Sequence, residues 1–417
     1  MNELNRQLSL GLKTFLGLYV LIYCFPFPAD YIPYTYEYFS KYIGFAKANL
    51  NLYVGKYLLG FQELNHIEIN GSGDTTLDYI SLLSYSLLAV LITIILLIFS
   101  KNKEKLVGFY AKMLIYARYF VGLTLISYGV IKFLHGQFPS PSLMALEATY
   151  GESSPMGLAW RFFGYSDLYK GFMGFSEVLA GFLLLFRRTA ILGALVSIAV
   201  CTNIFFVNLS FDVPVKLFSG HLLFFSVLIA LPRLKTLVSF FFLHEEVSLK
   251  PIEYDLTKKR KKWSYIVLKV VLVGLIPLSL IIGHVSSQSY RTYLNEWEGV
   301  YEVISFGIED KPDVAETAHW DKIIIQGKTI MTLNKSKSKK YYTIENIWNE
   351  GEINFIENHE QEDPYSFYIS ELEDGSYKME TKIGNNQYLV NAKRKVKTDY
   401  LLINRGFRWV NETPYNR

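Results

Sequence analysis

Seven stretches of this 417-residue chain have the length and apolarity of membrane-spanning helices, and that pattern limits its fold more than any other feature. They lie at about 8–25, 79–99, 113–134, 172–186, 190–207, 217–231 and 266–282. They account for a hydrophobic content of 51% and an aromatic content of 16%, above the usual level for a soluble domain of this size. The fourth and sixth runs are short, which fits helices tilted against neighbours or continuing into a covered loop. The expected fold class is a membrane all-α helical bundle of about seven spans, followed by a separate carboxy-terminal β domain.

Orientation follows from the basic residues between spans. Lys101, Lys103 and Lys105, then Arg187 and Arg188, then Arg233, Lys235 and the run 258–262 all fall on one face of this topology. With that face cytoplasmic, the amino terminus is inside, and the loops 26–78, 136–170 and 208–216 are outside with the carboxy-terminal region. Residues 295–417 carry a net charge of −5 and the first 294 residues +9, which puts the positive charge beside anionic headgroups of the inner leaflet. The run 258–262 therefore reads as an anchor before the last span, not as a nucleic-acid contact. The first apolar run lacks a small-x-small cleavage site and is expected to stay as a helix paired with the second. Leu21, Ile22 and Tyr23 before Cys24 are too large for a lipidation site. An inner, or plasma, membrane location follows.

Cys24 and Cys201 are the only cysteines, fall on different spans and form no CxxC, so thiol redox chemistry is not expected. Both read as small packing residues.

After residue 293 the pattern changes to short, partly alternating runs at 300–305, 322–326, 340–345, 353–357, 365–370, 377–382, 387–391 and 399–403. Turn signals at 327, 374 and 384 separate some of them. A small antiparallel barrel or sandwich is expected, and Trp297-Glu-Gly-Val-Tyr301 resembles the opening of a lipocalin-type barrel. The acidic stretch 357–364 lacks the ligand spacing of a calcium loop and reads as a solvated turn; no metal site is expected. The aromatic, basic tail 405–417 either closes the barrel or docks on the membrane surface. Asn70 and Asn411 lie in glycosylation sequons.

The chemistry-bearing residues sit inside the apolar runs. Glu177 interrupts the segment 171–186, and an ionised group in a bilayer costs at least a few kcal/mol unless paired or wetted. In the third span Arg118, Gly122, Leu125, Gly129 and Lys132 share a face, and in the fourth Gly174, Glu177 and Gly181 do. Glu177 is expected about 8–13 Å below the outer surface at 1.5 Å per residue, within reach of an inward-pointing Lys132 stem. Asn203 of the fifth span and His221 of the sixth are expected at similar depth. These four are the candidate ligand-binding or proton-handling residues, with Arg118, Tyr128, Asp212 and Lys216 secondary. A purely structural interhelical plug explains the same residues equally well.

The segments 118–122 and 129–132, then 174–177 and 181–188, then 212–223 resemble the DoxX family of bacterial membrane proteins, over about residues 108–240. The resemblance implies a four-helix inner-membrane core in which Lys132 and Glu177 occupy recurrent positions. It also implies kinship to subunits of quinone-linked redox complexes such as thiosulfate:quinone oxidoreductase. The expected organisation is then an amino-terminal hairpin with a long outer loop (1–107), the DoxX-like core (108–240), a basic loop with the last span (241–294) and an outer β domain (295–417). No haem, flavin or thiol motif accompanies the core. Two expectations remain: an accessory of a quinone-linked redox system with a quinone as bound cofactor, or a scaffold whose β domain binds a membrane or periplasmic partner protein. A transporter is less expected, because no inverted repeat is visible.

Overall fold

The structure is a computed structural model that describes residues 3–29, 35, 37, 39, 41–64, 72–100, 103–134, 136–248, 296–308, 319–347, 352–356, 365–383 and 386–413. Residues 263, 266–267, 270–275, 278–279 and 281–283 are also described. Lys101, the run 258–262, the acidic stretch 357–364, Asn70, the turn at 384 and much of the seventh apolar run lie outside these residues. Contacts divide the chain into two units: Met1–Pro139 with Ser154–Ser286, and Ser140–Ser153 with Ser287–Arg417. The segment Ser140–Ser153, expected within the four-helix core, therefore packs with the β domain.

The first unit is helical. Its elements are α1 (Glu3–Cys24), α2 (Lys41–Tyr53), α3 (Thr76–Phe99), α4 (Lys103–Phe133), α6 (Pro155–Tyr165), α7 (Asp167–Leu185), α8 (Ala190–Ser210), α9 (Lys216–Ala230) and α10 (Leu234–Phe241); α5 (Leu143–Glu147) belongs to the second unit. Among the described residues, five helical stretches are long and apolar enough to cross a membrane: α3, α4, α7, α8 and Lys216–Phe241. The first expected span falls in α1, of which Ser9–Cys24 is an apolar stretch among the described residues. The protein is thus a membrane protein by its helices: five of the seven expected runs meet that test among the described residues, and the seventh lies largely outside them.

Local sequence starts these helices where they start. Thr75 and Asp78 form a reciprocal capping box on α3, Ser154 caps α6 ahead of Pro155, and Ser166 caps α7. On α3 the outward face is apolar: Leu87, Leu91, Ile94, Ile98 and Phe99 are exposed while Ala89 and Thr93 are buried. That inversion of the soluble pattern is what lipid as solvent requires. α4 is the central helix and packs against α1, α7 and α9.

The second unit is a closed barrel of eight antiparallel strands in sequence order. They are β1 (Gly299–Ile308), β2 (Trp320–Gln326), β3 (Thr329–Asn334), β4 (Lys339–Ile347), β5 (Glu352–Ile356), β6 (Tyr365–Glu371), β7 (Tyr377–Ile383) and β8 (Asn386–Lys395). β8 returns to β1, with Val300 opposite Lys395 and Ile308 opposite Tyr388. Tyr301, Ile323, Ile325, Tyr342, Phe355, Phe367 and Met379 fill the interior, so the barrel is a packed core and not a cup.

At one end Arg394 lies 5.9 Å from the Tyr301 ring and 5.8 Å from the Tyr377 ring, and its Nη2 donates to the carbonyls of Glu296 (2.6 Å) and Glu298 (2.7 Å). Seven of the eight expected runs are strands. The eighth, 399–403, leads instead into α11 (Leu401–Asn404), because Tyr400 and Ile403 turn onto a cluster with Val300, Ile324 and Leu143. β3 was not anticipated; Gly327, at φ 55°, turns the chain back so tightly that Gln326 pairs with Thr329. The described part of the tail, 405–413, does not close the barrel, since Phe407, Trp409 and Val410 are exposed.

Candidate functional site

Lys132 and Glu177 meet. Lys132 Nζ donates to Glu177 Oε2 at 2.8 Å, and the two side chains are only 7% and 3% exposed. The glycines around them allow it. A Cβ on Gly129 would stand 2.5 Å from the Gly174 carbonyl oxygen, and one on Gly181 would stand 2.4 Å from that of Gly122, so α4 and α7 cross with their backbones touching. In this antiparallel crossing Gly129 is level with Gly174, which puts Lys132 and Glu177 about one turn to either side, and both stems lean back toward the crossing and meet. The Lys132 ammonium also lies 5.8 Å from the Tyr128 ring and 5.7 Å from the Phe138 ring.

One end of the pair is covered by α6 and by Lys170. Phe138 packs against Trp160 (5.0 Å) and Phe163 (5.0 Å), and the Pro139 carbonyl oxygen sits where a Cβ on Gly164 would be. Lys170 is buried, with its Nζ donating to Asp167 (2.8 Å) and to the Phe138 carbonyl (3.3 Å). The sequence reading missed Lys170. Its signal was available: it lies on the same α7 face as Gly174, Glu177 and Gly181 at helical spacing.

His221 has different partners. Its Nδ1 faces the Leu217 carbonyl (2.7 Å) and its Nε2 the Tyr19 hydroxyl (2.7 Å), while the Tyr23 ring stacks on it at 3.9 Å. A carbonyl can only accept, so the neutral ring carries its proton on Nδ1 and accepts from Tyr19 on Nε2. His221 thus joins α9 to α1, an element outside the expected four-helix core, and has no hydrogen bond to Lys132 or Glu177. It borders two cavities of about 480 and 410 Å³; the smaller is also lined by Tyr23, Tyr128, Asp78 and Ser81.

Asn203 does not join the polar set. The buried face of α8 runs through Gly193, Ser197, Cys201 and Asn208, and Asn203 is exposed on the other side. The buried amide is Asn208, whose Nδ2 donates to Ser219 Oγ at 3.0 Å. Helical spacing alone separates the two asparagines, since Asn203 follows Cys201 by about 200°.

Asp212 is exposed and pairs with Lys216 at 2.9 Å. The more consequential acid in that region is Asp74, which sequence reading passed over as a loop residue. Its carboxylate accepts from the backbone amides of Lys216 (2.8 Å) and Leu217 (2.9 Å), capping α9 from a distant loop, and lies 3.6 Å from Lys216 Nζ. Arg118 is buried at 3% exposure with its guanidinium 5.0 Å from the Tyr119 ring.

The barrel unit has a polar cluster of its own. Glu147, from α5, accepts from Lys322 Nζ and the Tyr400 hydroxyl and lies 3.7 Å from Lys395 Nζ, which sits 4.0 Å above the Tyr400 ring. Burial works against the charged carboxylate, but the hydrogen bonds from Lys322 and Tyr400 and the lysine charges outweigh it and hold Glu147 below its ordinary value. Burial, and then the carboxylate beside it, push the Tyr400 hydroxyl up. Ser142 caps the short helix, and the Leu143 amide donates to Gln326 Oε1 at 2.9 Å. Only the Ser-x-x-Ala start of α5 hinted at this in the sequence.

No family model matches the chain, and no solved structure matches it. Among known proteins it is similar to the uncharacterized protein YwoB of Bacillus subtilis (strain 168), with 40% identity over 99 residues. That match covers 24% of this chain and 62% of YwoB, so the chain spans less than two thirds of that relative's length.

Proposed function

We propose that this is a membrane-anchored, non-enzymatic scaffold of the cell envelope, whose helical unit serves as anchor and whose barrel binds a protein partner outside the inner membrane. The observation that carries the reading is that the strongest polar candidates are consumed by one another. Lys132 is paired with Glu177, and both His221 nitrogens are engaged, which is the arrangement of struts between helices. The barrel interior is filled, so any recognition uses its outer surface, where Ile304, Phe407 and Trp409 are exposed. The DoxX resemblance and the cytoplasmic placement of the basic loops belong to the same proposal.

Site-specific photo-crosslinking in cells tests it, with the reactive residue at Ile304 or Trp409 of the barrel and, as control, at Ile94 of α3. Discrete protein adducts from the barrel positions and lipid adducts from Ile94 are expected. Lipid adducts alone from the barrel would sink the scaffold reading.

A second reading, the quinone-linked accessory, is favoured by the 410 Å³ cavity beside His221, where Tyr23 and Tyr128 provide ring faces and Asp78 and Ser81 polar edges. It predicts that quinone co-purifies with the chain and is lost in His221→Ala while the Glu177→Gln protein, if folded, retains it.

A further inference from the structure

A cavity of about 870 Å³ lies at the end of the helical unit where α4, α8, α9 and α10 meet, and its charged lining is entirely cationic. Lys13, Arg118, Arg187, Arg188 and Arg233 line it, with no acidic residue among the lining, and the remaining walls are largely aliphatic and aromatic. Arg187 and Arg188 are exposed at the mouth, whereas Arg118 is 3% exposed in the wall. Arg118 Nε has no hydrogen-bond partner, and among the described residues no carboxylate pairs with the guanidinium. The Tyr119 ring at 5.0 Å gives a cation–π contact, a smaller term than the desolvation of a buried cation. A buried guanidinium with an unpaired donor, in the wall of an apolar cavity whose charged lining is all cationic, favours an anion there.

We propose that this cavity binds one anionic lipid, its phosphate held by Arg118 with help from the arginines at the mouth and its acyl chain against the walls of α8 and α10. The phosphate follows from the guanidinium fork, which matches two phosphate oxygens at once, and from the further cationic side chains that line the same cavity. The hydrocarbon follows from the walls: Leu195 and Leu237 line the interior with no polar partner for a hydrated ion. Basic pockets between transmembrane helices are the sequence-independent form of such sites, and the deep Arg118 is what distinguishes this one from a charged rim. It is separate from the Lys132–Glu177 pair and does not depend on the scaffold reading.

The test is native mass spectrometry of the full chain in mild detergent, titrated with dioleoylphosphatidylglycerol or dioleoylphosphatidylcholine, each with and without millimolar inorganic phosphate. One phosphatidylglycerol per chain is expected, at least tenfold preferred over phosphatidylcholine and unaffected by inorganic phosphate. Arg118→Gln should weaken it at least tenfold. Leu195→Trp, which narrows the cavity and keeps every charge, should weaken it severalfold, as should the surface double variant R187Q/R188Q, which leaves the buried core untouched. Equal retention by the wild type and both of these latter variants overturns the site, as does equal binding of the two lipids. Displacement by inorganic phosphate at matched concentration overturns the lipid in favour of a free anion.

Discussion

The helical unit and the barrel each bury a carboxylate, and they treat it differently. Glu177 has one partner, Lys132, at 2.8 Å, in a crossing so close that two glycine backbones touch on either side. Glu147 is shared among Lys322, Lys395 and Tyr400, and its side chain keeps 12% of its surface exposed. In lipid an ion has only the partner the chain provides, so the pairing is one to one and fully enclosed. At the barrel the neighbouring water can take up part of the charge, and several weak contacts do the work of one strong one. The exposed faces differ in the same sense, aliphatic on α3 and largely polar on the strands.

The comparison is broken most directly by removing one charge from each site. Glu177→Gln leaves Lys132 charged and enclosed, and the cost to the helical unit should be about 3–5 kcal/mol. The double replacement Lys132→Met with Glu177→Leu should recover most of that, because a buried pair exchanged for apolar side chains of similar volume is often close to neutral. Unfolding midpoints in mild detergent measure both. A Glu177→Gln cost below about 1 kcal/mol would mean that water reaches the pair, and the contrast with Glu147 would disappear.

Glycine offers a second contrast. At Gly129 an added Cβ meets backbone, the Gly174 carbonyl oxygen at 2.5 Å, and Val178 Cγ2 at 2.7 Å. At Gly299 it meets the Arg394 side chain, with Nε at 2.9 Å, and a long side chain can move. Gly129→Ala should therefore destabilise the helical unit by about 1–3 kcal/mol and loosen the ion pair with it, whereas Gly299→Ala should cost the barrel less. Equal effects on the two unfolding midpoints would show that α4 and α7 separate more easily than their contact suggests.

How much of this was legible depended on periodicity. The α4–α7 face was readable because Gly122, Gly129 and Lys132 on one helix and Gly174, Glu177 and Gly181 on the other recur at helical spacing, and the pair followed from stem length alone. The same rule, applied to α8, places Asn208 on the buried face and Asn203 off it. His221 was legible as buried but not as a partner of Tyr19, because α1 lies outside the stretch that resembles a four-helix core and no local pattern joins positions 202 residues apart. Asp74 and Glu147 were invisible for the same reason: one acts from a loop and the other from the short α5, each on an element far along the chain, where spacing carries no information. The strands were found by alternation, except β3, a six-residue strand behind a tight turn.

The smallest effect expected is the pH response of the Glu147 cluster, and it tests whether that cluster is wet. Glu147 is held below its ordinary value of 4.5 in the folded barrel, so the folded state favours the charged form. Its contribution is fully present above the unfolded value and is lost as pH falls through the folded one, a window that begins near pH 4.5 and extends downward. Glu147→Gln should lower the barrel's unfolding midpoint at pH 7 by an amount equivalent to about 1 kcal/mol and should reduce the difference between pH 7 and pH 3 by the same amount. Many other carboxylates titrate in that range, so the difference between wild type and variant isolates the one group. A cost of several kcal/mol at pH 7 would mark Glu147 as a buried charge of the Glu177 kind, and α5 would then be held to the barrel as tightly as α7 is to α4.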